Sequence, residues 1–236
     1  MQGIIWRPRN VTVQHMRRWF ELLPGRVFLA VMLLGAGLIT WTSLEYFDSS
    51  RVPFFVIEKL PVRFETLWLG ALKVHVASAL LTFPACLLLM TRLIQRRRML
   101  HRWLGRVTAV AVLVALVPSG LVLSLEAKGG PLVGLGFVLS GLIVWFAMVF
   151  GTLAARRKNY GAHTRAMRHV IAQMSVAVTS RALLLGFDSL EVDPELAYAL
   201  ALWVPVLASS LFVEWASLRR LPLPLSIKSV SRSLPS

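Results

Sequence analysis

The side chains best suited to chemistry in this sequence are histidines that stand beside arginines in apolar surroundings. One set lies in Met99–Arg106 (MLHRWLGR) and another in His163–His169 (HTRAMRH). An imidazole can bind a metal or carry a proton near neutral pH, and arginine can hold carboxylates or phosphates. Ionisable groups placed where a helix enters a membrane mark functional sites more often than the same groups in a soluble loop. The two motifs are therefore the first candidate site.

The composition indicates that these motifs belong to an integral membrane protein. Of the 236 residues, 56% are hydrophobic and 16% are charged, and the mean hydropathy is +0.67. Several apolar stretches approach the roughly 20 residues that a helix needs to cross a bilayer. We predict an all-α polytopic membrane helix bundle with six transmembrane helices. The predicted spans are Val27–Tyr46, Glu65–Met90, Trp103–Leu125, Leu132–Ala154, Ala166–Phe187 and Ala197–Leu218.

The distribution of charge predicts how the bundle is oriented. A basic arm (1–26) precedes the six-helix domain (27–218), and a tail (219–236) follows it. The arm, the tail and the two connections on the same side carry 20 of the 26 lysines and arginines. Only two of the 11 acids, Glu21 and Glu214, lie on that side. Because basic loops are retained in the cytoplasm, we expect both termini there, with the protein in a bacterial inner membrane. Anionic lipid headgroups account for the basic charge, so no nucleic-acid partner is expected.

A second set of polar side chains lies deeper in the predicted spans. It comprises His75 in the second span and His169, Gln173 and Arg181 in the fifth. A histidine in hydrocarbon needs a partner, so we expect His75 to bond a neighbouring helix or to bind a ligand. Polar groups surround so much of the fifth span that it belongs at the centre of the bundle. We expect Arg181 to extend toward the outer acids Asp188 and Glu191.

Depth in the membrane decides which histidines can act together. His101 and His163 both stand at the cytoplasmic edge, whereas His75 lies roughly 25 Å from that end of its helix. His169 lies roughly 9 Å deeper than His163. Only His101 and His163 match well enough to be two axial ligands of one cofactor. Gly105, one turn from His101, leaves room for a bulky group, and the arginines nearest the pair can bind anions.

The sequence also resembles a known family. The resemblance rests on His75 in an apolar helix, the run Leu100–Val107, the Gly129–Gly130 turn, and His163 followed by Met167, Arg168 and Arg181. Over about residues 70–185 this pattern resembles the bacterial multi-pass family called domain of unknown function 2306. The bundle is more distantly similar to b-type cytochromes and ferric-reductase-like membrane proteins, a likeness that implies haem held between histidines on facing helices.

Three functions stay open on these residues. The first is electron transfer through a single b-type haem, with His101 and His163 on the iron and Gly105, Arg102, Arg106 and Arg168 around the ring and its propionates. The second is a structural or accessory subunit without a cofactor that binds a membrane protein partner. The third is a small-solute or proton-coupled permease with a polar path along His75, His169, Gln173 and Arg181. No hydrolase triad or phosphate-binding loop is present in the sequence, so no enzyme class is predicted.

Overall fold

The computed structural model describes residues 11–48, 50 and 52–219, with side chains described at residue 25 and from residue 27 onward. The helices are α1 Val11–Ser43, α2 Phe54–Lys59, α3 Glu65–Leu89, α4 Arg92–Arg96, α5 Arg98–Ala111, α6 Val117–Ser124, α7 Gly130–Arg156, α8 Tyr160–Ser189 and α9 Pro194–Leu218. A 3₁₀ turn, Leu44–Phe47, follows α1, and a π-helical turn, Val112–Leu116, joins α5 to α6. Most of the predicted tail and the first ten residues of the predicted arm lie outside the described residues. From Val11 the arm is helical and continuous with α1.

The prediction of six spanning helices is confirmed. Within the described residues, helices long and apolar enough to cross a membrane are Val27–Phe47, Glu65–Leu89, Arg98–Ser124, Gly130–Arg156, Tyr160–Ser189 and Pro194–Leu218. The third and fifth begin earlier than predicted, at Arg98 and Tyr160, because hydropathy locates only the apolar part of a helix. The side chain of Asn159 accepts a hydrogen bond from the Ala162 amide at 3.1 Å and caps the start of α8. Both histidine motifs therefore lie on the first turns of helices.

The fifth span lies at the centre of the bundle, as predicted. α8 packs against α7 and α9 along its length and also contacts α1 and α3. The predicted antiparallel neighbours, α6 with α7 and α8 with α9, are in contact. Side chains from α1, α3, α5, α7 and α8 form the main apolar core, in which Leu87, Val112 and Val170 are almost fully buried.

The bundle has two edges that carry different polar groups. We call one the histidine edge, where α3, α7 and α9 end and α5 and α8 begin. The hydrogen bonds from α8 to Gly151 of α7 and to Glu214 of α9 show these ends together. The opposite edge carries the segments 44–48, 52–64, 125–129 and 190–193. Lys128 joins them there, because its ammonium pairs with Glu58 and lies over the ring of Tyr198.

Candidate functional site

His163 is held in one orientation by a close contact between two helices. Its Nδ1 donates a hydrogen bond to the carbonyl oxygen of Gly151 at 2.9 Å. Gly151 allows this approach, because a Cβ there would overlap the end of Met167 and lie 3.0 Å from the Cβ of Ala166. A carbonyl can only accept, so Nδ1 carries a proton, and in the neutral form of the ring Nε2 presents a lone pair. This is the arrangement that metal-binding histidines use to fix the ring.

His101 and His163 lie at the same edge of the bundle, on helices that do not pack together. His101 lies on the first turn of α5, and His163 lies on the first turn of α8. Within the described part of the chain, α5 and α8 make no direct helix packing contact. Neither Nε2 makes a hydrogen bond to a described residue, and neither is sealed in the interior. The Nδ1 of His101 is buried without a partner among those residues. The structure thus places both histidines at the histidine edge, and their binding of one common group stays a prediction.

The other residues predicted for this site differ in their exposure. Gly105 is not a helix-packing glycine, because a Cβ added there would meet no atom within 4 Å. Arg102 and Arg106 are exposed on α5, and Arg168 is half-buried on α8. Open space and cationic side chains therefore lie on the α5 side of the site.

A second polar cluster at the histidine edge includes an acid that sequence reasoning missed. Glu214, near the end of α9, accepts hydrogen bonds from His169 Nε2 at 2.7 Å and from Arg165 Nε at 3.2 Å on Oε1, and it also pairs with Arg165 Nη2. The Nδ1 of His169 is buried and has no partner within the described residues. Glu214 is one of only two acids on the basic side of the predicted topology, and this is the signal that could have found it.

One turn deeper, Gln173 ties together three helices. Its Oε1 accepts from the Ser140 hydroxyl at 2.8 Å, and its Nε2 donates to the Val206 carbonyl at 3.0 Å and to Ser210 Oγ at 2.7 Å. Both ends of the buried amide are therefore satisfied. The contacts give Gln173 a structural role in joining α7, α8 and α9.

His75 lies apart from these groups, against the break in the third spanning helix. Its Nδ1 donates to the Leu116 carbonyl at 3.1 Å and lies 3.4 Å from Ser119 Oγ. Leu116 ends the π-helical turn, and Pro118, which has no amide hydrogen, lies two residues further along the chain. A Cβ at Gly120 would lie 3.1 Å from the ring, so glycine leaves the space that the imidazole fills. The expected interhelical bond is present, but a backbone carbonyl is the main acceptor.

The expectation that Arg181 extends toward Asp188 and Glu191 is wrong. Its Nη1 donates to the Ala177 carbonyl at 2.7 Å, one turn nearer the histidine edge. The reason is that side chains on a helix lean toward its N-terminus, and α8 begins at the histidine edge. Arg181 therefore lies deeper than snorkelling would place it, and it is separate from His169 and Gln173.

Comparison with known proteins identifies the family. The model of a family described as Predicted membrane protein (DUF2306) matches residues 72–216, which is more than half of the chain. The chain belongs to this family. No curated protein and no solved structure matches it.

The DUF2306 segment contains every residue of the two polar clusters described above. It begins on α3 before His75 and ends on α9 just beyond Glu214. It thus extends past the expected end at residue 185 and includes the sixth spanning helix. Within the described residues, no three histidine, cysteine or acidic side chains meet as they would around a metal ion.

Proposed function

We propose that this membrane protein transfers electrons through a single b-type haem held between His101 and His163 at the histidine edge. The observation that carries the proposal is that two histidines lie on the first turns of different helices at the same edge of the bundle, each with an Nε2 that bonds no described residue. Two histidines can bind one haem iron only if the Nε2 of each is free of other bonds.

The surroundings of the pair fit such a group. The bond from His163 to Gly151 fixes one ring, and the space beside Gly105 is open on the other helix. Arg102 and Arg106 stand on the exposed side of α5, where they can pair with carboxylates such as propionates. The haem supplies one-electron chemistry, while the protein fixes the ligands and sets the polarity around them.

The charge distribution supports a cytoplasmic position for this site. The histidine edge carries the basic connections, which the positive-inside rule assigns to the cytoplasm. Both termini then face the cytoplasm, and the electron donor or acceptor meets the protein on that side. The same arginines attract anionic lipid headgroups.

The test is the visible spectrum of the full chain purified in a mild detergent after expression with a haem precursor. We expect the Soret and α bands of a low-spin b-type haem on reduction, with one haem per chain. His101→Ala and His163→Ala should each abolish the low-spin spectrum. His169→Ala, a histidine on α8 outside the pair, is the matched control and should keep it. A wild-type protein that shows no Soret band even after haem supplementation refutes the proposal.

A second variant separates a cofactor from a structural role of the histidines. Gly105→Leu adds a side chain where no neighbour lies within 4 Å of the Cβ position, so the fold should be unchanged. The added side chain fills the room that a ring needs, and haem content should fall although both ligands remain. Normal elution with full haem content in this variant contradicts the assigned position of the ring.

A further inference from the structure

We infer that a cavity at the opposite edge binds the phosphoethanolamine headgroup of a phospholipid, through Lys59 of α2 and Glu126 of the turn before α7. The inference goes beyond the haem proposal, because it concerns the other end of the bundle and other residues. It starts from two unpaired charges of opposite sign that line one cavity.

The cavity lies between α2 and the turn that joins α6 to α7. Its volume is about 470 Å³, and sites for small ligands typically measure about 300–1,000 Å³. Four charged side chains and the glycines of the turn line it, namely Glu58, Lys59, Glu126, Lys128, Gly129 and Gly130. The formal charges of the two lysines and two glutamates cancel, so these side chains favour a ligand without net charge.

Packing holds both walls of the cavity. On α2, Val56 is buried in an apolar cluster with Trp68 of α3. In the turn, Gly129 has a φ of +90°, a conformation that favours glycine. A Cβ at Gly129 would lie only 2.7 Å from the Cβ of Tyr198, so the turn packs closely on α9. The backbone that carries the charged side chains is therefore fixed on both sides.

The four charged side chains differ in what they bond. The ammonium of Lys128 pairs with Glu58 and lies 5.3 Å from the centre of the Tyr198 ring. Lys59 and Glu126 are half-buried, and neither bonds any residue whose position the structure describes. Relative to that part of the chain, the cavity presents one free ammonium group and one free carboxylate.

Unpaired charges of opposite sign in one cavity select a zwitterion. A phosphate can pair with the ammonium of Lys59, and a ligand ammonium can donate charge-assisted hydrogen bonds to the carboxylate of Glu126. A primary ammonium has three N–H donors, whereas a quaternary ammonium has none. Phosphoethanolamine carries a phosphate, a primary ammonium and no net charge. It therefore matches both free groups and the balanced charge of the cavity.

The position of the cavity favours a lipid as the source of this group. It lies between the end of the third spanning helix and the start of the fourth, where headgroups meet a membrane protein. Leu125 lines the same cavity and is 81% exposed. Covering this side chain with an acyl chain would remove apolar surface from water. A headgroup that carries acyl chains uses this surface, and a soluble zwitterion does not.

Native mass spectrometry of the full chain in a neutral detergent tests the site. The probes are phosphatidylethanolamine, phosphatidylcholine and phosphatidylglycerol with the same acyl chains, and soluble phosphoethanolamine as a competitor. We expect a saturable adduct with phosphatidylethanolamine that is about tenfold tighter than with either other lipid, as for one charge-assisted hydrogen bond. Soluble phosphoethanolamine should not compete.

Two variants test the two ends of the headgroup separately. Glu126→Gln should weaken phosphatidylethanolamine binding about tenfold and leave phosphatidylcholine binding unchanged, because only the primary ammonium needs the carboxylate. Lys59→Gln should weaken both lipids alike, because both carry the phosphate. The matched controls are Glu65→Gln and Lys73→Gln, exposed charges on α3 that do not line the cavity, and both should bind as the wild type does.

The outcomes separate the site from its source. Equal binding of the three lipids by the wild type overturns the inference, as does a Glu126→Gln variant that keeps the preference for phosphatidylethanolamine. An equal loss in either α3 control also overturns it. Competition by soluble phosphoethanolamine that Glu126→Gln removes keeps the zwitterion site but overturns the lipid source. If one cavity variant does not fold, the other still decides, since each tests its own end of the headgroup.

Discussion

The close approach of α6 and α7 at Gly134 gives a sharp prediction of stability. Gly134 is buried near the start of α7, and a Cβ built on it would lie 2.5 Å from the backbone carbonyl oxygen of Ser124. Ordinary contact for such atoms begins at 3.4 Å, so Gly134→Ala requires the two helices to separate by about 0.9 Å. The obstructing atom is backbone at the end of α6 and cannot rotate away. We expect Gly134→Ala to destabilise the protein.

The size of the effect follows from two opposing terms. Overpacking a well-filled site costs about 1–3 kcal/mol, and a rigid backbone neighbour places this site near the upper end. Alanine in place of glycine in a helix stabilises the fold by about 1 kcal/mol through its higher helix propensity. The net loss is about 2 kcal/mol, which lowers the Tm by about 4–8 °C for a chain of this size.

Gly141→Ala on the same helix is the control. Its Cβ would meet Leu121 and Val117 at 3.8 Å, which is ordinary contact. This variant should keep only the gain in helix propensity, about 1 kcal/mol, and raise the Tm by about 2–4 °C. The assay is thermal unfolding of both variants in one detergent, followed by size-exclusion fluorescence. If Gly134→Ala melts at or above the wild-type temperature, the assigned packing of α6 on α7 is wrong.

Two predictions concern the polar groups at the two edges. Glu214→Gln should lower the free energy of unfolding by about 1 kcal/mol, because the exposed pair with Arg165 contributes little and the bond to half-buried His169 contributes most. A double-mutant cycle with His169→Ala should show coupling between the two positions. Additive effects of the two substitutions would contradict this bond. At the opposite edge, partial burial lowers the pKa of Lys128, but its hydrogen bonds to Glu58 and Tyr198 outweigh this and raise the pKa overall. The wild type should therefore have a higher Tm than Glu58→Gln, and this difference should be largest below the ordinary lysine pKa. It should disappear as the pH rises through the raised pKa of Lys128. A difference that persists in strong alkali counts against the pair.

Much of the architecture could be predicted from the sequence because a bilayer imposes simple rules. Apolar length set the six spans, short turns set the neighbouring pairs, and the polar circumference of α8 placed it at the centre. Depth along each helix matched His101 with His163, because rise per residue is nearly constant. These inferences use only the position of each residue along the chain, which the sequence gives directly.

The missed features depend on the angular position of one helix about another. Glu214 was visible as an isolated acid, but its partner could be named only when α9 was seen to turn that face to His169. Arg181 was assigned to the outer acids by distance along the chain, while the lean of its side chain takes it the other way. The rotation of a helix about its axis and the direction of its side chains depend on tertiary packing. The periodicity of the sequence does not determine either of them.

The packing around Gln173 bears on the permease hypothesis. A polar path would need to join His169 and Gln173 to the groups near the opposite edge. The Gln173 amide instead meets the carbonyl of Val206, whose fully buried side chain packs with Val133, Val176 and Leu202. A hydrated solute crossing this cluster would lose its water without gaining polar partners. The arrangement interrupts a polar path along α8 at this cluster, and permeation would require α9 to move away from α8.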